Sequence, residues 1–167
     1  ARVVPTEQMP SYTYTGSSRL EVDKNGNWKI KFLSSGTLTF TSLGDGTTAV
    51  DLFLVGGGGS GRYAGGGGGY TRTVKSLTVP LNTSQQIVVG KGAAFSFTET
   101  INGGSSSALG YTAAGGYGVG QADKGGNGGS GGGGYAYSDS NSWAGSGGTN
   151  GENGHASSSG CSGGYGQ

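Results

Sequence analysis

The chain has 167 residues, including 41 glycines, and its 10 lysines and arginines nearly balance its 9 aspartates and glutamates. That length suits one domain and is hardly enough for two, and the near-neutral charge argues against a nucleic-acid partner, which needs a clustered basic face. A run of about 18 apolar residues is missing, so no membrane insertion is expected. The single cysteine and single histidine argue against a metal site built on those ligands.

Alternating apolar and polar residues predict β-strands between residues 12 and 102. In Trp28–Phe32 apolar and charged side chains alternate, as in a half-buried strand, and Leu38 and Phe40 alternate with threonines in the next strand. The more continuously apolar run at 49–55 predicts a strand near the centre of a sheet. Further strands are predicted at 70–79 and 85–89, and no segment has helical periodicity. The expected fold class is all-β, without α-helix, and contains an antiparallel, jelly-roll-like β-sandwich.

The distribution of apolar residues divides the chain into three expected regions. Residues 1–27 are an N-terminal connector with a first strand, residues 28–102 are the sandwich with a glycine-rich insertion at 56–69, and residues 103–167 are a glycine-rich region. Between Trp28 and Val55, 12 of 28 residues are Trp, Ile, Phe, Leu or Val, which is enough for one modest core. The last 65 residues hold 24 glycines and only three large aliphatic residues or tryptophans, so they cannot build a conventional core.

The spacing of the C-terminal glycines favours ordered packing over a disordered Gly/Ser tail. A flexible linker has no reason to keep a phase of three residues, whereas a left-handed, three-residue helix of the polyproline II type needs one bare face for close packing. Collagen would also need abundant proline, and the three prolines lie outside the repeat. We therefore expect a bundle of polyglycine II helices, bonded to one another through backbone groups. The structural glycines of the two registers are Gly125, Gly128, Gly131 and Gly134, and Gly145, Gly148, Gly151, Gly154, Gly160 and Gly163.

The segments that interrupt the glycine runs are the candidate recognition loops. If 125–134 and 145–154 are two ten-residue helices side by side, the connector 135–144 lies at one end, and the connectors 121–124 and 155–159 lie at the other. Aromatic and small polar residues on loops of a rigid scaffold are typical of recognition surfaces. The alternative is that the aromatics cap the bundle against water. The predicted receptor-contact residues are Tyr63, Tyr135, Tyr137, Asp139, Asn141 and Trp143.

Motifs for enzymatic chemistry are weak. The strand entering residues 56–61 matches G-x-G-x-x-G, but a dinucleotide site also needs a helix next and an acid about twenty residues on, and neither is present. His155 has no carboxylate or nucleophile in a recognisable motif relation to it, and Cys161 is most simply a small packing residue. The sequence therefore predicts no enzyme, no cofactor, no metal and no catalytic residue.

The order of strands and glycine runs, at 28–36, 50–61, 65–79 and 87–90, is similar to that of the glycine-rich domain of phage tail-fibre and tail-tip proteins. Residues 103–106 and 125–134 continue the likeness, although the final apolar strand usual in the family is missing before Gln167. The resemblance implies a β-sandwich with inserted polyglycine II helices at the fibre tip of a virion, outside the cell. It implies as partners a bacterial surface glycan or protein and other tail-fibre subunits, with a homotrimer as one arrangement because fibre tips are often threefold.

Three functions are compatible with these residues. The first is a non-enzymatic attachment protein whose loops bind a bacterial surface receptor. The second is a structural virion or filament subunit that assembles through its glycine-rich faces and binds no receptor. The third is ice binding, which polyglycine II bundles can perform, but the charged strands of the β-half fit poorly with the flat face of small residues it needs.

Overall fold

The structure, a computed structural model, describes residues 8–62, 64–119, 125–134, 144–148, 155–157 and 160–162. Within these residues the protein is all-β, with antiparallel sheets and no α-helix. No helix there has the length and apolar content that crossing a membrane requires. The expected fold class is confirmed, although the sheets are small and do not clearly form a sandwich.

The described strands form one three-stranded and four two-stranded sheets, in the orders β1-β4-β7, β2-β3, β5-β6, β8-β9 and β10-β11. The strands are β1 (Ser11–Tyr14), β2 (Ser18–Val22), β3 (Trp28–Phe32), β4 (Gly36–Ser42), β5 (Val50–Val55), β6 (Thr71–Leu77), β7 (Gln85–Ile87), β8 (Ser106–Ala108), β9 (Tyr111–Ala113), β10 (His155–Ser157) and β11 (Gly160–Ser162). The alternation pattern predicted β3 to β7. A first strand was also expected within residues 1–27, where the structure has two, β1 and β2, whereas the short strands after Gly103 were not predicted.

The chain divides into two compact units, and each is assembled from several stretches of sequence. The first, the strand unit, comprises residues 1–52, 73–89 and 107–111. The second, the glycine unit, comprises residues 53–72, 90–106 and 112–167. The insertion at 56–69 thus shares a unit with the C-terminal glycine-rich residues, whereas the division expected from the sequence was strictly sequential.

The core of the strand unit lies on β4. Leu38 and Phe40 are buried because β4 is the middle strand of its sheet and their side chains share one face. Tyr12 on β1 and Trp28 on β3 place their rings 5.9 Å and 6.3 Å from that of Phe40, both tilted. The buried apolar residues of this unit are Leu38, Phe40, Leu43, Val79, Ile87 and Ala108.

β5 corrects one expectation. Its continuous apolar run predicted a central position, but β5 pairs with β6 alone in a two-stranded sheet. Leu54 is buried, whereas Phe53 and Val55 on the opposite face are exposed. A run that is apolar on both faces therefore indicates a strand here without indicating how many of its faces are covered.

The β2–β3 hairpin has one charged face. Arg19 lies opposite Lys31 in the register, and Glu21 lies opposite Lys29. The Glu21 carboxylate forms ion pairs with Lys31 at 3.0 Å, with Lys29 at 3.2 Å and with Arg19 at 3.4 Å. Hydrogen bonds from Lys31 and then Lys29 hold the pKa of Glu21 below its usual value.

The turn of this hairpin is fixed by Asp23. Its carboxylate accepts the N–H groups of Asn25 at 2.8 Å and Asn27 at 3.0 Å, and the Asn27 side-chain amide at 2.8 Å. Gly26 has a φ of 90°, which a glycine adopts freely at this position of a turn. The hydrogen bond from the Asn27 side-chain amide is the main cause of the lowered pKa of Asp23. This is turn chemistry, and it explains why the chain reverses between β2 and β3.

In the glycine unit, backbone hydrogen bonds change direction with a period of three residues. Along segment 56–61, every third N–H donates to segment 64–70, and the N–H one position further along donates to segment 101–104. The carbonyls of Gly57 and Ser60 accept bonds from a third segment, 114–119. The donated bonds are all 2.9 Å long and run from Gly56 to Tyr70, Gly59 to Gly67, Gly57 to Gly104 and Ser60 to Ile101.

Segment 64–70 repeats this pattern with four neighbours. Gly65 and Gly68 donate to segment 130–134, and Gly67 and Tyr70 donate to segment 114–119. The carbonyls of Gly65 and Gly68 accept from segment 125–129, while those of Gly67 and Tyr70 accept from segment 56–61. A pleated strand alternates between two sides, so a period of three with neighbours all round is the bonding pattern of a polyglycine II bundle.

Close approach, and not backbone conformation, requires glycine in this unit. A Cβ atom on Gly56, Gly59 or Gly67 would overlap the carbonyl of Ala114, Tyr117 or Asn127 respectively. None of these glycines has a φ in the left-handed region, which is confined among the described glycines to Gly26, Gly44, Gly46 and Gly110. The missing side chain lets a carbonyl oxygen face each Cα directly, a geometry that Cα–H···O contacts favour.

Four polar side chains complete the bonding where no backbone partner is in reach. The buried Ser60 accepts the N–H of Ile101 on its Oγ, and the buried Ser106 accepts that of Gly90 and donates to the carbonyl of Val55. The side-chain carbonyls of Asn102 and Asn127 accept from Gly118 and Ser146. Backbone groups inside the unit thus find partners without an apolar core, since its buried apolar residues are only Leu54, Val119 and a few alanines among the described positions.

Residues 125–134 do not form the single ten-residue helix expected from their spacing. Segment 125–129 runs parallel to 64–70, because Gly126 and Gly129 bond to Gly65 and Gly68. Segment 130–134 runs antiparallel to it, because Gly65 bonds to Gly133 and Gly68 to Ser130. The chain therefore folds back at 129–130, and an unbroken triplet register across that turn does not imply an unbroken helix.

Neighbouring glycines offer a direct test of the packing argument. We expect Gly59→Ala to lower the free energy of unfolding by about 3 kcal/mol or more, since its Cβ would overlap backbone atoms that cannot move independently. At Gly58 a Cβ would have only the Gly67 carbonyl near it, at 3.7 Å, so Gly58→Ala should leave stability unchanged or raise it by up to about 1 kcal/mol. Urea denaturation of both variants measures the difference, and equal losses would contradict close packing as the reason for glycine.

The Glu21 ion pairs predict a pH dependence of stability. A carboxyl whose pKa is lowered by folding stabilises the protein at pH values above its unfolded pKa, and this contribution is lost as the pH falls through the lower pKa of the folded state. Glu21→Gln should therefore flatten the acid limb of the curve of thermal midpoint against pH. Parallel acid limbs in the two proteins would show that these exposed ion pairs contribute nothing.

Candidate recognition site at one end of the glycine unit

The hydrogen-bond registers show which segment ends lie together in the glycine unit. Ser60 is level with Ile101 and Val119, because its N–H donates to the Ile101 carbonyl and its own carbonyl accepts the Val119 N–H. Gly65 is level with Gly126 and Gly133 in the same way. Because the Arg62 N–H donates to the Ala64 carbonyl at 3.0 Å, these two levels belong to the same end of the unit. We call it the loop end.

Several connections start or finish at the loop end. Segments 56–61 and 64–70 meet there through the Arg62–Ala64 bond, and the loop 93–101 returns there at Ile101. The described residues on either side of 120–124 are Val119 and Gly125, and both lie at this end. The same holds for the described residues that flank 135–143, because Gly133 bonds to Gly65 and Gly145 to Gly132. The two connectors, which were expected at opposite ends, lie outside the described residues, but the fold-back at 129–130 brings their described flanks to one end.

The loop 93–101 is anchored to the glycine unit at both ends. The Ala93 N–H donates to the Gly58 carbonyl at 2.8 Å. At the other end Ile101 and Ser60 exchange two bonds, from the Ser60 N–H to the Ile101 carbonyl at 2.9 Å and from the Ile101 N–H to the Ser60 Oγ at 3.1 Å. Within the loop, Ser96 Oγ accepts the N–H groups of Thr98 and Glu99. Polar groups therefore hold both ends of the loop and support its centre.

Two phenylalanines stand exposed on this loop. Phe95 is 61% exposed and Phe97 is 66% exposed, and their rings meet edge to face with centroids 4.6 Å apart. The two exposed rings therefore form one continuous aromatic surface. Between residues 96 and 100 the other side chains are the hydroxyls of Ser96, Thr98 and Thr100 and the carboxylate of Glu99.

The sequence argument missed this pair. The same signal that picked out residues 62–64, an aromatic insertion between glycine segments, is present at 93–101, between Gly92 and Gly103. The pattern F-S-F was instead absorbed into the end of the predicted β-region. Alternation alone does not separate a strand from a loop that places two aromatic rings on one side.

The residues predicted to contact a receptor lie outside the described part of the chain. They are Tyr63, Tyr135, Tyr137, Asp139, Asn141 and Trp143. The structure places the described residues that flank these positions at the loop end, as given above. His155 and Cys161 lie on β10 and β11, and no group of three or more Asp, Glu, His or Cys residues in the described part could hold a metal ion.

The predicted structural glycines fall into three groups. A Cβ on Gly125, Gly128 or Gly145 would overlap a backbone carbonyl, and Gly148 packs against the ring of Tyr70 with its hypothetical Cβ 2.8 Å from a ring carbon. Gly131 and Gly134 are buried, and Gly160 lies on β11. Gly151, Gly154 and Gly163 lie outside the described residues.

The fold and the site define an all-β protein in which a glycine unit, bonded through its main chain, presents loops at one end. A family model for the glycine-rich domain matches residues 33–167. The chain belongs to this family. Searches of curated proteins and of solved structures gave no match.

The anchoring of loop 93–101 predicts a specific effect of the buried Ser60 hydroxyl. Ser60→Ala removes the acceptor for the Ile101 N–H, and leaving such a donor without a partner costs roughly 1–3 kcal/mol. We expect faster amide exchange at Ile101 and faster proteolysis within 93–101. Ser105→Ala is the control, because Ser105 is exposed in the neighbouring segment. Equal protection of the loop in the two variants would contradict the anchoring role.

Proposed function

We propose that the protein is a non-enzymatic attachment protein of the phage tail-fibre type, which binds a bacterial surface glycan or protein through the loop end of its glycine unit. On this proposal it acts outside the cell, as part of a virion and alongside other fibre subunits. The observation that supports it most is the exposed Phe95–Phe97 pair on a loop anchored at both ends.

The physical argument concerns where the binding free energy would come from. A large aromatic surface that is already in place loses little conformational entropy when a ligand covers it. The glycine unit keeps its loops in place through many backbone bonds, so it can present different loop sequences without changing the scaffold. The predicted contact residues Tyr137, Asp139 and Trp143 extend the same logic to the connector 135–143.

The competing function is a structural subunit that assembles through its glycine-rich faces. The described glycines are largely satisfied within the unit, because the segments bond to one another on several sides. That arrangement leaves fewer unpaired backbone groups for a second copy than an open sheet edge would, so we favour attachment over assembly.

A phenylalanine pair offers a matched test of the attachment proposal. We expect Phe95→Ala combined with Phe97→Ala to reduce adsorption to host cells by about tenfold or more, as loss of a central aromatic anchor does. Phe53→Ala is the control, since Phe53 is a 63% exposed phenylalanine of the same unit on β5, which enters the unit at the end away from the loops. Thermal unfolding of all variants checks that the fold is kept.

Adsorption that falls in the Phe53 variant and persists in the double variant would overturn the loop end as the site. A further variant with Tyr137, Asp139 and Trp143 all replaced by alanine tests the connector 135–143. Large ordered assemblies without any affinity for cells would support the structural function in place of attachment.

A further inference from the structure

We propose that the charged face of the β2–β3 hairpin is a binding site for an anionic polymer that carries repeating phosphate or carboxylate groups. The site consists of Arg19, Lys29 and Lys31 around Glu21. It belongs to the strand unit, whereas the loop end belongs to the glycine unit. The proposal does not depend on the receptor site.

Charge is concentrated on this hairpin to a degree that the overall composition hides. Residues 18–32 contain four cations and two acids, a net charge of +2, while the whole chain has a net charge of +1. All other residues together therefore carry −1. The near-neutral total argued against a polyanionic partner, but a polyanion responds to the local cluster and not to the sum.

The strand register places like charges together. Arg19 lies directly opposite Lys31, and Lys29 lies two residues from Lys31 on the same face. Like charges opposite one another destabilise an antiparallel pair, so a hairpin selected for stability alone would alternate their signs. Only one carboxylate, that of Glu21, offsets the three cations, and the face retains a net charge of +2.

The cations are pre-ordered and remain accessible. Glu21 Oε1 accepts from Arg19 Nε and Lys31 Nζ, and its Oε2 accepts from Lys29 Nζ. The side chains of Arg19, Lys29 and Lys31 are 72%, 66% and 54% exposed. The Glu21 side chain that they surround is 23% exposed. Holding the cations close to one carboxylate reduces the side-chain entropy that an incoming oxyanion would otherwise remove. All three cations lie within 3.4 Å of an oxygen of the one Glu21 carboxylate, so they form a single cluster that one polymer segment can contact.

The cluster also has a purely structural explanation, because lysines on an edge ribbon discourage pairing with other strands. The two explanations differ in the effect of Glu21. If the cluster only protects an edge from strand pairing, removal of the Glu21 carboxylate does not improve that protection. As an oxyanion site, it should bind more tightly once the competing carboxylate is removed.

The test measures binding of the full chain to fluorescent long-chain polyphosphate and to polygalacturonate over a range of salt concentrations, with neutral dextran as the blank. We expect Lys31→Gln to weaken binding about threefold or more and to reduce the slope of log K against log salt concentration by about 1. Glu21→Gln should strengthen binding by a similar factor. The two polymers distinguish phosphate from carboxylate as the preferred group.

Lys75→Gln is the matched control, because it removes the same charge from an exposed lysine on β6. A loss equal to that of Lys31→Gln would show that only total charge matters and would overturn the site. Absence of binding to both polymers at low salt, or weaker binding by Glu21→Gln, would do the same. Thermal midpoints that stay well above the assay temperature in all three variants exclude unfolding as the cause of any loss.

Discussion

The architecture of the glycine unit depends on how closely one main chain can approach another. At Gly56, Gly59 and Gly67 a carbonyl oxygen of a neighbouring segment occupies the space that any Cβ would need. This approach lets each segment bond to neighbours on several sides, as segment 64–70 does to four others. Hydrogen bonds and dispersion contacts between bare backbones thereby replace the burial of large apolar side chains.

On the attachment proposal, a scaffold of this kind separates stability from recognition. The segments are fixed by backbone groups and by a few polar side chains such as Ser60 and Asn102, none of which needs to face a ligand. The loops at the loop end can then carry exposed aromatics, such as Phe95 and Phe97, without removing apolar residues from a core. The strand unit has an ordinary apolar core on β4, and its charged hairpin lies on separate strands.

Sequence patterns predicted the bonding principle better than the path of the chain. Alternation identified β3 and β4 because one face of each is covered. Triplet phasing indicated close main-chain packing at Gly125, Gly128 and Gly145, where a Cβ would indeed overlap a carbonyl. The phasing could not reveal the fold-back at 129–130, since glycine and serine allow both a turn and a straight segment. The exposure of Phe53 and of the Phe95–Phe97 pair was likewise hidden, because it depends on which faces distant segments cover.

The interleaving of segments has a consequence for how the chain acquires its structure. Gly65 bonds to Gly133, 68 positions later, and Gly56 has Ala114 against its Cα from 58 positions away. Such a high contact order slows folding. During synthesis the glycine run at 56–69 emerges before segments 114–119 and 125–134, to which it bonds. A truncation that removes those segments would leave its backbone groups unpaired and open to proteases.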